Sequence, residues 1–215
     1  GEPYTGSACP GQATVTDSDG NIYNTIKIGD QCWMAENLKV GIAIDLNASP
    51  ADNADIEKYC YDDNASSCGD FGGLYRWEEM MQYNTISDKA VQGICPEGWH
   101  IPTDDEWKTL ESYLGMNQSV LNNSGLRGTQ QGAMLRAGGS SGFMALLGGL
   151  RTSTPEYSDI ENKGYYWTST AYDHKYAWCR MISSDTGSVG RYYQSPEQAM
   201  HVRCIKDEKE NMLVK

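Results

Sequence analysis

The 215-residue chain is acidic and rich in tyrosine and tryptophan. It has 17 Lys and Arg against 29 Asp and Glu, for a formal net charge of −12, and 14 Tyr and 6 Trp against 2 Phe. This charge argues against nucleic acid as a partner, because phosphate backbones attract Lys and Arg. No apolar run reaches the roughly 18 residues of a membrane-spanning helix. The chain is therefore not predicted to span a membrane, although a membrane anchor in the full-length form is compatible with it.

Seven cysteines are spread along the chain at wide intervals, with no C-x-x-C motif and no Cys-His cluster of zinc-finger type. We therefore predict a disulfide framework in an exported protein, located extracellularly or at the outer-membrane surface. The chain starts with a polar segment and has no recognisable signal peptide, so a processed chain is expected. Pairing six of seven cysteines allows about 105 arrangements, and the spacing alone does not choose among them.

Residues 1–13 are predicted to be an extended lead-in. Alternating, β-branched residues in Thr14–Thr16 and Ile22–Ile28 then predict a hairpin. Its turn contains Asp17, Asp19 and Asn21, which are weak candidates for a structural calcium site. Ile22 stands where an EF-hand loop needs Gly, so an ordinary turn is the preferred interpretation, and no cofactor is predicted.

The strongest helix signal lies in the middle of the chain. Thr103 and Glu106 form a Thr-x-x-Glu capping box, and a buried stripe of Trp107, Leu110 and Leu114 follows before Gly115. Weaker helices are predicted near residues 74–81 and 130–137. A strand is predicted at residues 31–38, an irregular surface segment at 41–58, and a polar loop between Cys60 and Cys68.

Beyond Gly138 the sequence changes to short strand-like segments separated by Gly, Ser and Asn. Helices early and strands late predict an α+β fold rather than a doubly wound parallel sheet. We predict one domain over residues 14–207 and a charged tail over residues 208–215. The expected late strands are 143–147, 150–152, 165–170, 177–182, 189–193 and 199–205.

Several motifs in order resemble the Fibrobacter succinogenes major paralogous domain family. The resemblance covers about residues 14–207. It implies a C-type-lectin-like fold with short early helices and a twisted antiparallel sheet with long loops late. Family members are typically exported, often to bacterial surfaces. The segments that carry it are Val15–Asn21, Ile28–Leu38, Tyr59–Cys68, Gly73–Trp77, Cys95–Trp107, Gly148–Arg151, Tyr166–Thr170, Ala177–Trp178 and His201–Asp207.

The resemblance also suggests how the cysteines pair. In lectin-like domains of this type, a Cys before the first long helix bonds to one in the last strand, which implies Cys95–Cys204. Cys60–Cys68 is the next expected pair, since seven residues separate the two. Cys9–Cys32 would then attach the lead-in to the first hairpin. Cys179 remains as a buried free thiol, and a bond from Cys179 to Cys32 or Cys9 is the alternative.

The late stretch of residues 165–193 is unusually aromatic, and in the resembled fold this part of the chain carries the ligand surface. Tyr and Trp offer stiff apolar faces with a polar edge, which suits sugars and protein interfaces alike. Trp167 and Trp178 are assigned to the core. The Glu-Pro-Asn, Gln-Pro-Asp and Trp-Asn-Asp patterns of calcium-dependent lectins are absent. The predicted ligand-binding residues are Tyr172, Asp173, His174, Tyr176, Arg191, Tyr192 and Tyr193.

Catalytic signals are weak. There is no Gly-x-Ser-x-Gly motif, and His174 lies in a polar loop. His100 and His201 are interpreted as structural, and the lone Cys179 cannot supply the cysteine pair of a formylglycine-generating oxidase. We therefore predict a non-enzymatic, cell-surface binding module for glycan or a surface protein. The alternatives are a structural or assembly subunit of a surface apparatus and, third, a cryptic enzyme with a cleft near His174.

Overall fold

Short strands connected by turns and four short helices make up the described part of the chain. The computed structural model describes residues 6–84 and 90–208. The mixture of few helices and many strands confirms the predicted α+β class. The helices are α1 (Ala65–Phe71), α2 (Trp77–Met80), α3 (Asp104–Tyr113) and α4 (Gln131–Leu135), with a 3-10 turn at Tyr61–Asp63. The strands are β1 (Thr14–Thr16), β2 (Ile22–Ile28), β3 (Gln31–Met34), β4 (Ile42–Ala43), β5 (Glu57–Lys58), β6 (Tyr75–Arg76), β7 (Trp99–His100), β8 (Gly125–Arg127), β9 (Gly148–Arg151), β10 (Tyr157–Ile160), β11 (Lys163–Ala171), β12 (Ala177–Ser183), β13 (Val189–Gln194), β14 (Ala199–Met200) and β15 (Ile205–Lys206).

Two sheets organise these strands. The smaller has the order β1-β2-β3-β15-β7, so it joins the first and last strands of the domain. The larger runs β6-β14-β9-β11-β12-β13-β8, with β10 paired to β9. Pairing in both sheets is antiparallel except between β9 and β11. The consecutive strands β11, β12 and β13 form the meander that carries the late aromatic residues. A separate parallel pair, β4 with β5, lies within the segment predicted to be irregular.

The predicted first hairpin is confirmed, and the buried Asp17 closes its turn. The Asp17 Oδ1 atom accepts hydrogen bonds from the backbone N–H groups of Asp19 (3.0 Å) and Asn21 (2.9 Å). The Tyr23 hydroxyl donates to Oδ2 at 2.6 Å. These bonds use both carboxylate oxygens within the protein, which favours the turn interpretation over calcium. Across residues 6–84 and 90–208, no group of three or more His, Cys, Asp or Glu side chains is placed to hold a metal ion.

Helix α3 begins as its capping box predicts. Thr103 Oγ1 accepts a hydrogen bond from the Glu106 N–H (3.1 Å), and Glu106 Oε2 accepts one from the Thr103 N–H (2.7 Å). Trp107 and Leu110 on its inner face are fully buried. After the helix, Gly115 adopts φ +89°, a left-handed conformation that glycine tolerates. The predicted helix near residues 130–137 is confirmed as α4.

The cysteines form the three predicted pairs, Cys9–Cys32, Cys60–Cys68 and Cys95–Cys204. Cys179 is buried and unpaired. The Cys95–Cys204 bond ties the segment before β7 to the segment before β15, across a separation of 109 residues. Three disulfides are typical of a protein that folds outside the reducing cytosol. None of the helices in the described ranges has the length and apolar character needed to cross a bilayer.

Tryptophan replaces phenylalanine as the main filler of the core. Trp33 and Trp107 pack with ring centroids 5.3 Å apart, and Phe143 and Tyr166 complete this cluster around Trp107 at 5.4 and 5.9 Å. Trp167 is also fully buried, as predicted. Such tilted ring contacts contribute about 0.5–1.5 kcal/mol each beyond the buried area. One of the core clusters thus forms where α3 packs against the sheets.

One predicted loop and the predicted last strand are wrong. The polar segment between Cys60 and Cys68 is not a loop: it forms the 3-10 turn and the start of α1, because the Asn64 side chain accepts the Ser66 N–H (3.1 Å) as an N-cap. The predicted last strand, 199–205, is two strands in different sheets, β14 and β15. In the intervening segment, the carbonyl oxygens of Val202 and Cys204 accept hydrogen bonds from the Leu38 and Met34 N–H groups at 2.9 and 3.0 Å, which directs the chain to the smaller sheet.

Residues 143–147 form no strand, although the sequence predicts one. The buried Arg203 guanidinium lies 4.5 Å above the Phe143 ring and donates hydrogen bonds to the carbonyl oxygens of Phe143 and Met144. It also donates to Asn37 Oδ1 at 2.6 Å. In a β-strand these two consecutive carbonyl groups would point in opposite directions, each toward a neighbouring strand. Their use by Arg203 leaves the segment as a packed loop.

His100 makes the stability of the domain depend on pH. Its Nε2 lies 2.8 Å from Glu106 and its Nδ1 lies 2.6 Å from Asp207. Burial alone would lower the pKa of His100, but the two carboxylates outweigh burial and raise that pKa above its usual value. The stabilising charge is therefore complete below the ordinary histidine pKa and is lost as pH rises through the folded-state pKa.

Replacing His100 with Gln is accordingly expected to lower the free energy of unfolding by about 1.5–3 kcal/mol at pH 6. Most of this loss is assigned to the Glu106 pair, because Asp207 is more than half exposed and screened by solvent. Urea unfolding between pH 6 and 9 measures it. The wild type should lose stability over this interval, and the variant should give a flatter profile. Parallel profiles for the two proteins would contradict this account.

Candidate functional site

An exposed cluster of four aromatic rings lies at one end of the β11–β13 meander. We call Tyr172, Tyr176, Trp178 and Tyr193 the aromatic patch. Tyr172 and Tyr193 stack with centroids 4.1 Å apart and planes 7° apart. Tyr176 contacts Tyr193 edge-on at 5.6 Å, and Trp178 contacts Tyr172 edge-on at 5.1 Å. The three tyrosines remain 40–48% exposed, so the rings contact one another and still face solvent.

Strand pairing and a tight turn bring these rings together. Trp178 on β12 is directly opposite Tyr193 on β13 in the antiparallel register. The turn between β11 and β12 closes through a hydrogen bond from the Tyr172 N–H to the Tyr176 carbonyl oxygen (2.8 Å). Asp173 Oδ1 accepts the Lys175 and Tyr176 N–H groups at 2.7 and 3.0 Å. The side chain of Asp173 therefore builds the turn that presents two of the tyrosines.

Arg191 supports the patch from beneath. Its guanidinium carbon lies 3.5 Å from the centroid of the Trp178 ring, a close cation–π contact. Its Nε and Nη2 atoms donate to the two carboxylate oxygens of Asp104 at 2.9 and 2.7 Å. Its Nη1 donates to the Asn122 carbonyl oxygen at 2.9 Å. With all three nitrogens engaged, the arginine holds the Trp178 ring in one orientation.

Asp104 belongs to a buried network of charges between α3 and the sheet. Arg180 donates to Asp104 Oδ1 at 2.8 Å and to Glu111 Oε1 at 2.6 Å, and Arg127 donates to Glu111 at 2.8 Å. Burial alone would raise the pKa of Asp104, but hydrogen bonds and charge from Arg191 and Arg180 hold that pKa well below its usual range. Asp104 is therefore ionised at neutral pH. The network fixes α3 against the strands that carry the patch.

The structure corrects the placement of two predicted ligand-binding residues. Arg191 is buried and bonded to Asp104, so its guanidinium supports the patch instead of facing solvent. Tyr192 alternates with Tyr193 along β13, and it packs against the core from the opposite side of the sheet. The other five residues lie together: Tyr172, Tyr176 and Tyr193 in the patch, and Asp173 and His174 in the exposed turn beside it.

Trp178 is the functional candidate that sequence reasoning assigned to the wrong place. It was predicted to be a core residue, yet it is half-buried and forms part of the patch. The alternation of side chains along a strand could have predicted the position of Trp178. Cys179 is buried on one side of β12, so Trp178 must face the other side, which it shares with Tyr193 on the neighbouring strand.

Within residues 6–84 and 90–208, Cys179 and the three histidines lie in separate environments. Cys179 is fully buried, and desolvation raises the pKa of its thiol to about 12, so it is an inert thiol at neutral pH. His201 is buried next to the Gly73 carbonyl oxygen, and burial lowers its pKa to about 4. His100 is held between two carboxylates, and His174 is exposed.

Comparison with known proteins identifies one family. Neither the curated proteins nor the solved structures contain a match to this chain. A family model described as the Fibrobacter succinogenes major domain matches residues 26–206. This range lies inside the domain predicted for residues 14–207. The matched range includes β3, α3, the disulfide between Cys95 and Cys204, and the whole aromatic patch. This chain therefore belongs to the Fibrobacter succinogenes major domain family.

Proposed function

We propose that this chain is an exported binding module that holds glycan at the bacterial surface through the aromatic patch, without catalysis. The observation that carries the proposal is the exposed stack of Tyr172 on Tyr193, with Trp178 and Tyr176 packed edge-on around it. Pyranose rings have apolar C–H faces, which pack well on stiff aromatic rings. Supported rings lose little conformational entropy when a ligand binds.

Polar groups around the patch suit a hydroxyl-rich ligand. Within the described residues, the hydroxyl groups of Tyr172, Tyr176 and Tyr193 make no hydrogen bond to the protein, and each can donate to or accept from a sugar hydroxyl. Asp173, His174 and Lys175 are exposed next to them. The net charge of −12 disfavours anionic polysaccharides by long-range repulsion. A neutral glycan therefore fits best.

A C-type-lectin-like arrangement is part of this proposal. The Cys95–Cys204 bond before the longest helix, the pairing of β3 with β15 and the late antiparallel meander support it. The proposed mode of binding nevertheless differs from calcium-dependent lectins, because it uses ring stacking and hydrogen bonds. Binding is therefore expected to survive EDTA.

A glycan array with wild type and three variants tests the proposal. Tyr172→Ala removes the most exposed ring of the patch and is expected to weaken binding at least about tenfold. Tyr172→Phe keeps the ring and should retain most of the affinity. Leu126→Ala is the surface control: Leu126 is 54% exposed, but its register opposite Gly190 places it on the other side of the sheet from Tyr193.

Two results would refute glycan binding. One is the absence of binding to any glycan on the array by a protein whose circular dichroism spectrum shows that it is folded. The other is equal binding by wild type and Tyr172→Ala. A pull-down from surface extracts that depends on Tyr172 would instead favour the second candidate, an assembly or adhesin-type subunit whose patch packs against another protein.

A further inference from the structure

A polar groove lies on the outer side of α3, and Arg191 links it to the aromatic patch. The groove has a volume of about 520 Å³, within the usual range for ligand sites. We call it the α3 groove, and its main lining residues are Asp105, Lys108, Ser112, Gln118, Leu121 and Asn122.

One side chain connects the groove to the patch. Arg191, which lies against the Trp178 ring, donates to the carbonyl oxygen of Asn122 at 2.9 Å. The Asn122 side chain accepts a hydrogen bond from Lys108 Nζ at 3.1 Å inside the groove. Lys108 also lies 3.4 Å from the Asp104 oxygen that pairs with Arg191. The patch and the groove therefore share a common support, the Asp104–Arg191 pair.

The side chains that line the groove suit a neutral ligand. Its two charged residues cancel, since Lys108 pairs with Asp105 at 2.5 Å. Gln118 donates to Ser112 Oγ at 2.7 Å, and its amide oxygen has no partner among the described residues. Amide and hydroxyl groups of this kind both donate and accept, as sugar hydroxyl groups do.

We propose that the aromatic patch and the α3 groove form one extended site for a linear neutral oligosaccharide. This inference rests on the proposed function and adds the length and class of the ligand. One sugar residue stacks on the patch, and the residues that follow it in the chain exchange hydrogen bonds with Asn122, Gln118 and Ser112 in the groove. Affinity should therefore increase with chain length.

Isothermal titration with neutral gluco-, xylo-, manno- and galacto-oligosaccharides of two to six residues tests this inference. For the series that binds, affinity should rise with each added residue until the groove is filled. The double variant Ser112→Ala/Gln118→Ala should weaken binding of the longest oligosaccharide about five- to tenfold and leave the shortest unchanged. Ser153→Ala is the matched control, because this exposed serine follows β9, on the other side of the meander.

The outcomes separate the two proposals. If binding requires Tyr172 but is independent of chain length and of the groove variant, the patch binds sugar and the extended site is refuted. If no series binds, or binding is independent of Tyr172, the proposed function fails and the extended site fails with it. Thermal unfolding of the double variant, expected near that of the wild type, excludes misfolding as the cause of any loss.

Discussion

Replacing Asp104 with Asn is expected to lower the free energy of unfolding by about 3–5 kcal/mol at pH 7. The substitution keeps the size of the side chain but removes the charge that pairs with the buried Arg180 and Arg191. An amide N–H₂ group would also face one of the guanidinium N–H donors now bonded to the carboxylate. Both buried arginines would then lack full compensation, and the cost of an unpaired buried charge is large.

The neighbouring residue provides a matched control. Asp105 follows Asp104 in the first turn of α3, but its side chain is 86% exposed and pairs with Lys108. Asp105→Asn should therefore cost less than about 1 kcal/mol. Urea unfolding followed by circular dichroism compares the two variants. Equal losses would show that the buried network contributes little to stability.

The same substitution predicts a change in acid unfolding. The pKa of Asp104 is depressed in the folded state, so its contribution to stability is present above the ordinary carboxyl pKa and is lost as pH falls through the folded-state value. Wild type should therefore lose more stability than Asp104→Asn between pH 4 and pH 2. Binding by the variant should also weaken, because Arg191 would no longer be held against Trp178.

The sequence predicted those elements that are determined by interactions between residues close together in the chain. The first hairpin follows from alternation and from an Asp-based turn, and α3 follows from the pairing of Thr103 with Glu106. The disulfide between Cys95 and Cys204 was predicted from the family resemblance, since spacing alone left many pairings open. Each of these features could be predicted because it depends on neighbouring residues or on a motif that the family shares.

Errors arose where a distant side chain decides the local structure. The apolar run at residues 143–147 resembles a strand, but Arg203, about 60 residues away along the chain, takes its carbonyl groups. Arg191 resembles a surface cation, but its partner Asp104 is 87 residues away. Periodicity cannot report such contacts. The position of Trp178, in contrast, could have been predicted from the sequence. The neighbouring Cys179 was expected to be buried, so strand alternation places Trp178 on the other side of β12.

Removing the Cys95–Cys204 disulfide is expected to have the other large effect on stability. The bond closes a loop with a sequence separation of 109 residues, and on the chain-entropy argument its loss lowers the free energy of unfolding by about 4–5 kcal/mol. The double variant Cys95→Ala/Cys204→Ala leaves no new thiol to mispair with Cys179.

The disulfide between Cys60 and Cys68 is the control, because it spans only 8 residues and its removal should cost about 2–3 kcal/mol on the same argument. Both disulfides are buried, so the cavities left by alanine are comparable and the difference between the variants reports loop length. Denaturant unfolding without reductant measures both. Equal losses would contradict the entropic account. A folded Cys60→Ala/Cys68→Ala protein beside an unfolded Cys95→Ala/Cys204→Ala protein would support it, because the fold would then depend on the bond that joins the segments before β7 and β15.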